Sequence, residues 1–445
     1  MYRIEDIDKI KSNITDIQDL ALLTYKKNYE PNLDENKEVY KLVIEFIKKK
    51  KRIIYGGFAQ NHLIKIKNEN DAFYREVDTP DIEFYSFEPI VDLIELCDFL
   101  KSKNLKYVEG TEGIHEGTYK IFVNFINYCD ITYLPKNIYN GCRTIINNDL
   151  IFAHPYFLYI DFYRVFTDPL TSYWRLDKSF NRFLKLIKHY PILKVENNNI
   201  LIQPTDSKIL RFIRKHIIHD SKYIIIGKYA YNYFIKKMSD PVINIDFYEI
   251  ITSNYEEDII KILDILKTQY NTDFKEFTPF FEFFDKRIEF YINNKCVLKV
   301  YGNNDRCIVF KHSDKKKCNF GTFQIVVLYL LSNYNYNIIN KNNKDAITCI
   351  NLIYNIIQLR NKYLDKHNIT VLDKSPFEEF IINCIGKPVD LIRESRINIK
   401  NKKKKGLKMK FKYEPGNIAG KIPNYNFENV SGNEILNKRK LNINN

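Results

Sequence analysis

The 445-residue chain is predicted to be an α+β protein, in which a mixed sheet flanked by helices is followed by a second, degenerate copy of the same core. Three observations lead there. The stretch from Arg52 to Ser86, RIIYGGFAQNHLIKIKNENDAFYREVDTPDIEFYS, reads as a strand of β-branched residues, a Gly56-Gly57 turn, a short amphipathic helix, a polar loop and a second strand. The same pattern returns as YIIIGKYAYNYFIK at 223–236, where Ile224, Ile225, Gly227, Ala230, Asn232, Ile235 and Lys236 align with identical residues of the first copy. At 445 residues the chain is long enough for two or three domains with real cores, and a hydrophobic content of 45%, with 15% aromatic residues, excludes a disordered chain.

Taken in order, residues 1 to about 50 are predicted helical, with Val39, Leu42, Val43, Phe46 and Ile47 on one stripe. The run Lys48 to Arg52 closes that helix, where cations complement the helix dipole. After the Arg52–Ser86 unit a helix is expected over 89–104, then strands over 106–108, 119–125 and 128–134. The segment 151–191 is mostly helical in pattern, with Trp174 expected in the core and His154 read as structural. Helices are expected over 322–333, 344–362 and 376–385. The last carries a capping box, with Ser375 as cap, Pro376 at the first helical position and Glu378 reaching back. From Arg393 to Lys412 the chain is strongly basic and lacks apolar periodicity, which reads as a mobile tail.

Composition bounds the function. A formal net charge of +14 and a pI near 9.0 favour a polyanionic partner. The eight cysteines form no CxxC pair and no zinc-site spacing, so they are read as scattered, packed thiols of a reducing compartment. Neither a membrane span nor a secretory leader is recognised. The abundance of Ile, Asn and Lys is consistent with an AT-rich genome and carries no chemistry.

The chemistry concentrates on acidic residues. Asp81 and Glu83 alternate along one strand, so both carboxylates face the same way, and a divalent cation between them relieves the repulsion. Gly56-Gly57 at a helix start lets backbone N–H groups approach a phosphate. Asp130, in YCDITYLP, lies in a segment that otherwise belongs in a sheet and calls for a cation nearby. A carboxylate pair on one strand and a single carboxylate on a later one suit two Mg²⁺ ions about 3.5–4 Å apart. No G-x-x-x-x-G-K-[ST] motif is present, nor G-x-G-x-x-G after a strand, so P-loop and Rossmann readings lose support.

GG before a helix, D-x-E on a strand and a lone Asp on a later strand resemble the nucleotidyltransferase superfamily of DNA polymerase β type. With YGGFAQN, PDIEFYS, YCDITYLPKNIYN and DPLTSYWR, the chain is similar to the catalytic subunits of poly(A) polymerases from large cytoplasmic DNA viruses, of the mimivirus and poxvirus kind, up to about Lys387. The chain departs from many relatives at Glu83, where they carry a second Asp, and at Gly57, where they carry Ser. The resemblance implies an enzyme adding AMP from ATP to the 3′-hydroxyl of mRNA without a template. Asp81, Glu83 and Asp130 are then the catalytic residues and the ligands of two Mg²⁺ or Mn²⁺ ions, and Gly56 and Gly57 hold the triphosphate. It implies ATP and an RNA 3′ end as partners, a homodimer or a processivity subunit, no membrane, and residence in the cytoplasmic viral factory or the virion. A CCA-adding type of terminal nucleotidyltransferase and a non-catalytic RNA-binding or processivity subunit remain open alternatives.

Two further stretches bear on RNA and domain organisation. Arg175, Lys178, Arg182 and Lys185 recur at three- and four-residue steps opposite Leu176, Phe180, Phe183 and Ile187. The first three are candidate RNA contacts, and Tyr173 and Trp174 could stack on a base, worth about 1–3 kcal/mol per base. In the second copy, INIDFYE parallels DIEFYS, so Asn244 stands at Asp81, Asp246 at Glu83 and Val297 at Asp130, with Lys228 replacing the second glycine. Two of three ligands are thereby lost. The expected domains are N-terminal helices (1–45), a catalytic nucleotidyltransferase domain (46–165), a helical connection (166–220), a degenerate nucleotidyltransferase-like domain (221–387) and a basic tail (388–445).

Overall fold

The structure is a computed structural model describing residues 2–30, 32–75, 78–115, 117–196, 207–238, 241–277, 286–303, 306–388, 391–404 and 411–416. These fall into two compact units, drawn from Met1–Tyr133, Ile146–Phe152 and Lys408–Lys421 in the first and from Leu134–Ile145 and Ala153–Leu407 in the second.

The first unit opens on α1 (Ile4–Asn28) and α2 (Leu33–Lys50). The stripe of α2 buries Val39, Val43, Phe46 and Ile47, and the helix stops at Lys51 in the left-handed region, φ 53°. There follow β1 (Ile53–Tyr55), α3 (Gly56–Lys67), β2 (Ile82–Ser86), α4 (Pro89–Ser102), β3 (Glu109–Glu112), β4 (Thr118–Val123), β5 (Ile126–Tyr133), β6 (Thr144–Asn147) and β7 (Leu150–Ala153). With Lys412–Tyr413 on its edge, the sheet runs Lys412–Tyr413, β3, β4, β5, β2, β1, β7, β6. Ile90, Leu93, Leu96, Cys97 and Leu100 line the buried face of α4. Arg52 does more than close α2. It is 4% exposed and donates to the buried Asp92 of α4 at 2.8 Å, with its guanidinium over the Phe87 ring.

The second unit contains α5 (Lys136–Gly141), α6 (Pro155–Thr167), α7 (Pro169–Ser172), α8 (Leu176–His189), α9 (Lys208–Ile213), β8 (Ile224–Ile226), α10 (Gly227–Ile235), β9 (Tyr248–Thr252), α11 (Tyr255–Lys267), β10 (Asp273–Phe277), β11 (Arg287–Ile292) and β12 (Lys295–Gly302). It continues with β13 (Ile308–Ser313), β14 (Cys318–Gly321), α12 (Phe323–Ile339), α13 (Asn343–His367), β15 (Cys384–Ile385) and α14 (Leu391–Lys404). Its sheet order is β10, β11, β12, β9, β8, β14, β13, β15. Helix α12, apolar on every side through Tyr329–Leu331, packs against α6 and α13 as a core helix.

The internal repeat is a repeat of topology. β1 and β8 run antiparallel to β2 and β9 and parallel to β7 and β14. β2 and β9 run parallel to β5 and β12, which run antiparallel to β4 and β11. The repeated asparagine acts alike in both copies. Asn61 Oδ1 accepts from the N–H groups of Phe73 and Tyr74 (2.7 and 2.9 Å), and Asn232 Oδ1 accepts from Ile243 N–H (2.9 Å), so each clasps the chain on its way to the next strand.

Four expectations are corrected. No strand forms over 106–108, because Tyr107 takes φ 49° and the strand begins at Glu109. No helix forms over 376–385, although the Ser375 hydroxyl does accept from Phe377 N–H. Tertiary contacts hold that segment open: Phe377 is fully buried, Glu378 pairs with Lys311, and Glu379 pairs with Arg360. The cysteines are not all scattered thiols, since Cys307 and Cys384 form a disulfide where β13 meets β15. Residues 393–412 are not wholly without structure either: α14 runs to Lys404, and Lys412–Tyr413 pairs with Gly110–Thr111. Residues 405–410 and 417–445 of the basic tail lie outside the described residues.

Candidate active site

Four adjacent strands of the first unit bring one row of side chains abreast. Tyr55 of β1 pairs with Glu83 of β2, Glu83 with Asp130 of β5, and Asp130 with Lys120 of β4. Residues paired across neighbouring strands share a face, so Glu83 and Asp130 stand side by side. Asp81 precedes β2 by one residue and Glu83 by two. The Cys129 thiol, opposite Ile82, registers both neighbours: burial first, then Asp130 and Asp81, push it well above its usual value. Tyr40 is raised by burial, Tyr74 and Asp81 in that order.

The glycine turn is built around Glu83. Gly56 takes φ +65°, and a Cβ there would lie 1.6 Å from Glu83 Oε2. Gly57 N–H donates to that oxygen at 2.7 Å, so the carboxylate caps the N-terminus of α3, where the helix dipole favours negative charge. Sequence reasoning aims these N–H groups at a phosphate; in the structure that of Gly57 is engaged by Glu83. Behind the row, Tyr55 stacks on Tyr85 with centroids 3.9 Å apart, and its hydroxyl meets Thr132 Oγ1 at 2.7 Å.

Asp130 is held at both of its carboxylate oxygens. Lys120 Nζ donates to both of its oxygens, at 2.6 and 2.8 Å, and Asn127 Nδ2 donates to one at 2.9 Å. Lys120 was not foreseen. The signal lay in the hairpin IFVNFIN, whose turn at Asn124-Phe125 sets Lys120 across from Asp130. Divalent ions fit this donor set in kind, because carboxylate oxygens are what Mg²⁺ takes and Asp130 already holds one cation. Among the described residues, no three acidic, histidine or cysteine side chains already converge closely enough to hold a metal.

The second unit repeats the row with different chemistry. Ile226 pairs with Glu249, Glu249 with Lys299, and Lys299 with Glu289. A Cβ on Gly227 (φ +62°) would lie 1.9 Å from Glu249 Oε2, so Glu249 is the counterpart of Glu83. The expected register was three residues off on β9 and two on β12. Phe247 stands at Asp81 and Lys299 at Asp130, while Asp246 lies before β9 and pairs with Lys228. A six-residue spacing would have located the register: Ser86 precedes Asp92 as Thr252 precedes Asp258, and each hydroxyl accepts from a backbone N–H two residues on. The counterparts of Asp81 and Asp130 are lost, as expected, but to Phe247 and Lys299 rather than to Asn244 and Val297. Lys299 Nζ sits 4.4 Å over the Phe247 ring and 3.2 Å from Glu289.

The remaining candidates lie in the second unit. Tyr173 and Trp174 are 72% and 68% exposed, so Trp174 is not core; it sits in a turn between α7 and α8 with the Arg175 guanidinium 4.7 Å from its ring. Arg175 and Lys178 are exposed and Arg182 half-buried. On the opposite side, Phe183 packs among Tyr159, Phe162, Tyr163 and Phe166. His154 is structural: its Nδ1 accepts from Tyr156 N–H at the start of α6, and burial, then Arg143, lower its pKa to about 3. Among the described residues no helix is long and apolar enough to cross a membrane.

Comparison with known proteins agrees with this architecture. Residues 41–172 match the family model "Poly(A) polymerase catalytic subunit", and residues 184–445 match "APMV, Putative poly(A) polymerase, catalytic subunit, C-terminal". A protein of Acanthamoeba polyphaga mimivirus named "Putative poly(A) polymerase catalytic subunit" is 29% identical over 98% of this chain and 83% of its own. Its namesake in African swine fever virus (strain Badajoz 1971 Vero-adapted) is 32% identical over 40% of this chain and 38% of its own. The crystal structure of the Megavirus polyadenylate synthase superposes with a TM-score of 0.88 at 30% identity, covering 99% of this chain and 91% of that one. The chain thus belongs to the family of viral poly(A) polymerase catalytic subunits, enzymes of the nucleotidyltransferase class.

Proposed function

We propose that the protein is a template-independent polynucleotide adenylyltransferase that extends the 3′-hydroxyl of mRNA with AMP from ATP, using Asp81, Glu83 and Asp130. The observation that carries this reading is Glu83 and Asp130 abreast on one sheet face beside the N-terminus of α3, in a chain of this family. Asp81, Glu83 and Asp130 would hold the divalent ions through their carboxylate oxygens, and Asp130 would help take the proton of the primer hydroxyl. When bound, the two ions neutralise the triphosphate with its leaving pyrophosphate and make the hydroxyl more acidic. The Gly56-Gly57 turn fixes Glu83 and lets the backbone approach the triphosphate. Most of the acceleration then comes from positioning and charge neutralisation. Arg175, Lys178 and Arg182 contact the RNA backbone, residues 46–165 form the catalytic domain, and the protein works in the cytoplasmic viral factory or the virion.

The test is primer extension with Mg²⁺ and each nucleoside triphosphate supplied separately, comparing the natural chain with Asp81→Ala and Asp130→Ala. ATP alone should support long extension, and each substitution should lower the rate by about a hundredfold or more, as expected when several kcal/mol of charge stabilisation is lost. Incorporation of CTP as readily as ATP would favour a CCA-adding enzyme. Variants as active as the parent would remove these residues from the chemistry.

A further inference from the structure

We propose that Lys120 is a positioning residue for Asp130: its ammonium is the resident counter-ion of that carboxylate, and a divalent ion uses Asp130 only by exchange with it. The inference rests on the reading of Asp130 as a metal ligand. Glu83 and Asp130 are paired residues of adjacent strands, and like charges directly opposite destabilise a sheet. Lys120 offsets that cost from the far side of Asp130. Its contacts are bidentate at 2.6 and 2.8 Å, and the two side chains are only 30% and 14% exposed, so screening by solvent is reduced. Asn127, at 2.9 Å, holds the carboxylate from a third direction.

The second unit acts as a natural control. Its row keeps a cation beside the glutamate, but the charges on the next two strands are exchanged: Lys299 stands at Asp130 and Glu289 at Lys120. There the cation belongs to the central strand and stands between two glutamates, one on each flanking strand. Both copies thus keep an ammonium between or beside their acids, and only the first can trade it for a metal ion. Removing the competing ammonium should therefore tighten metal binding at the first site.

The experiment titrates the full-length protein, without nucleotide, with Mn²⁺ and reads the free ion by electron paramagnetic resonance. Lys120→Met and Lys120→Gln should bind Mn²⁺ about tenfold tighter than the parent, the direction required by loss of a neighbouring positive charge. Lys120→Arg, which keeps the charge, should bind like the parent, and Asp130→Asn should bind about tenfold more weakly. Equal or weaker binding by both neutral variants, with Asp130→Asn weakened, overturns the role of Lys120 and leaves the metal-site reading standing. If Asp130→Asn binds Mn²⁺ like the parent, the metal-site reading falls and the proposal with it.

Discussion

Gly56 must be glycine on two counts that reinforce each other. Its φ of +65° lies in the left-handed region, which costs a non-glycine residue about 1–3 kcal/mol, and a Cβ would overlap the Glu83 carboxylate. Gly227 meets both conditions in the second unit, with φ +62° and Glu249 in the same place. The two positions therefore separate stability from catalysis. Gly56→Ala and Gly227→Ala should each lower stability by about 2 kcal/mol, measured by urea denaturation. Gly56→Ala alone should also abolish primer extension under conditions where both variants remain folded, because it displaces a carboxylate of the active row. Equal residual activities in the two variants would mean that the Gly56 turn does no more than its counterpart.

At the scale of elements, the paired strands β9 and β12 show how a lysine set between two buried acids stabilises a strand pair. Lys299 is pinned between Glu249 and Glu289, each 6% exposed, and burial opposes its charge less than these acids favour it, so its pKa is raised. Burial likewise works against the charge of Glu289, yet Lys299, Tyr291 and Arg287 together hold its carboxyl below the usual range. Lys299→Met should then cost about 3–5 kcal/mol, since it strands buried negative charge, while Lys299→Glu combined with Glu289→Lys should recover part of that loss. Chemical denaturation of the single and double variants would check this. A Lys299→Met protein as stable as the parent would show that the acids find their compensation elsewhere. How far the elements could be read from the sequence follows the same physics. β1, α3 and β2 were legible because a β-branched run, a glycine pair and strict alternation are local signals, and the repeat was legible because Ile224 to Lys236 kept them. The register of β9 was not, because DFYE resembles DIEFYS locally while only the pairing of Ile226 with Glu249 decides which acid stands at the turn. The segment 376–385 failed for a related reason: its capping signal is local, but Lys311, Arg360 and the partner cysteine Cys307 lie far away in sequence.

The whole molecule carries its charge unevenly. From Leu391 to Asn445 there are 14 Lys and Arg residues against four Asp and Glu, so this segment supplies ten of the fourteen net positive charges. The rest of the chain then carries a net charge of only +4, so this segment is the first place to look for attraction to a polyanion. Lysines that neutralise RNA phosphates release condensed counterions, and for single strands each contact contributes about −0.7 to the slope of log affinity against log salt. Replacing Lys402, Lys403, Lys404 and Lys405 together by Gln should weaken binding of a single-stranded RNA at low salt and flatten that slope by up to about 3. Fluorescence anisotropy with a labelled oligonucleotide across a potassium chloride series would measure both quantities. The same substitutions leave the row Tyr55, Glu83, Asp130 and Lys120 untouched, so the maximal rate at saturating primer should stay near that of the parent while the primer concentration needed to reach it rises. An unchanged slope would place the RNA-binding charge elsewhere, and Arg175, just before α8, with Lys178 and Arg182 on it, would be the next to neutralise.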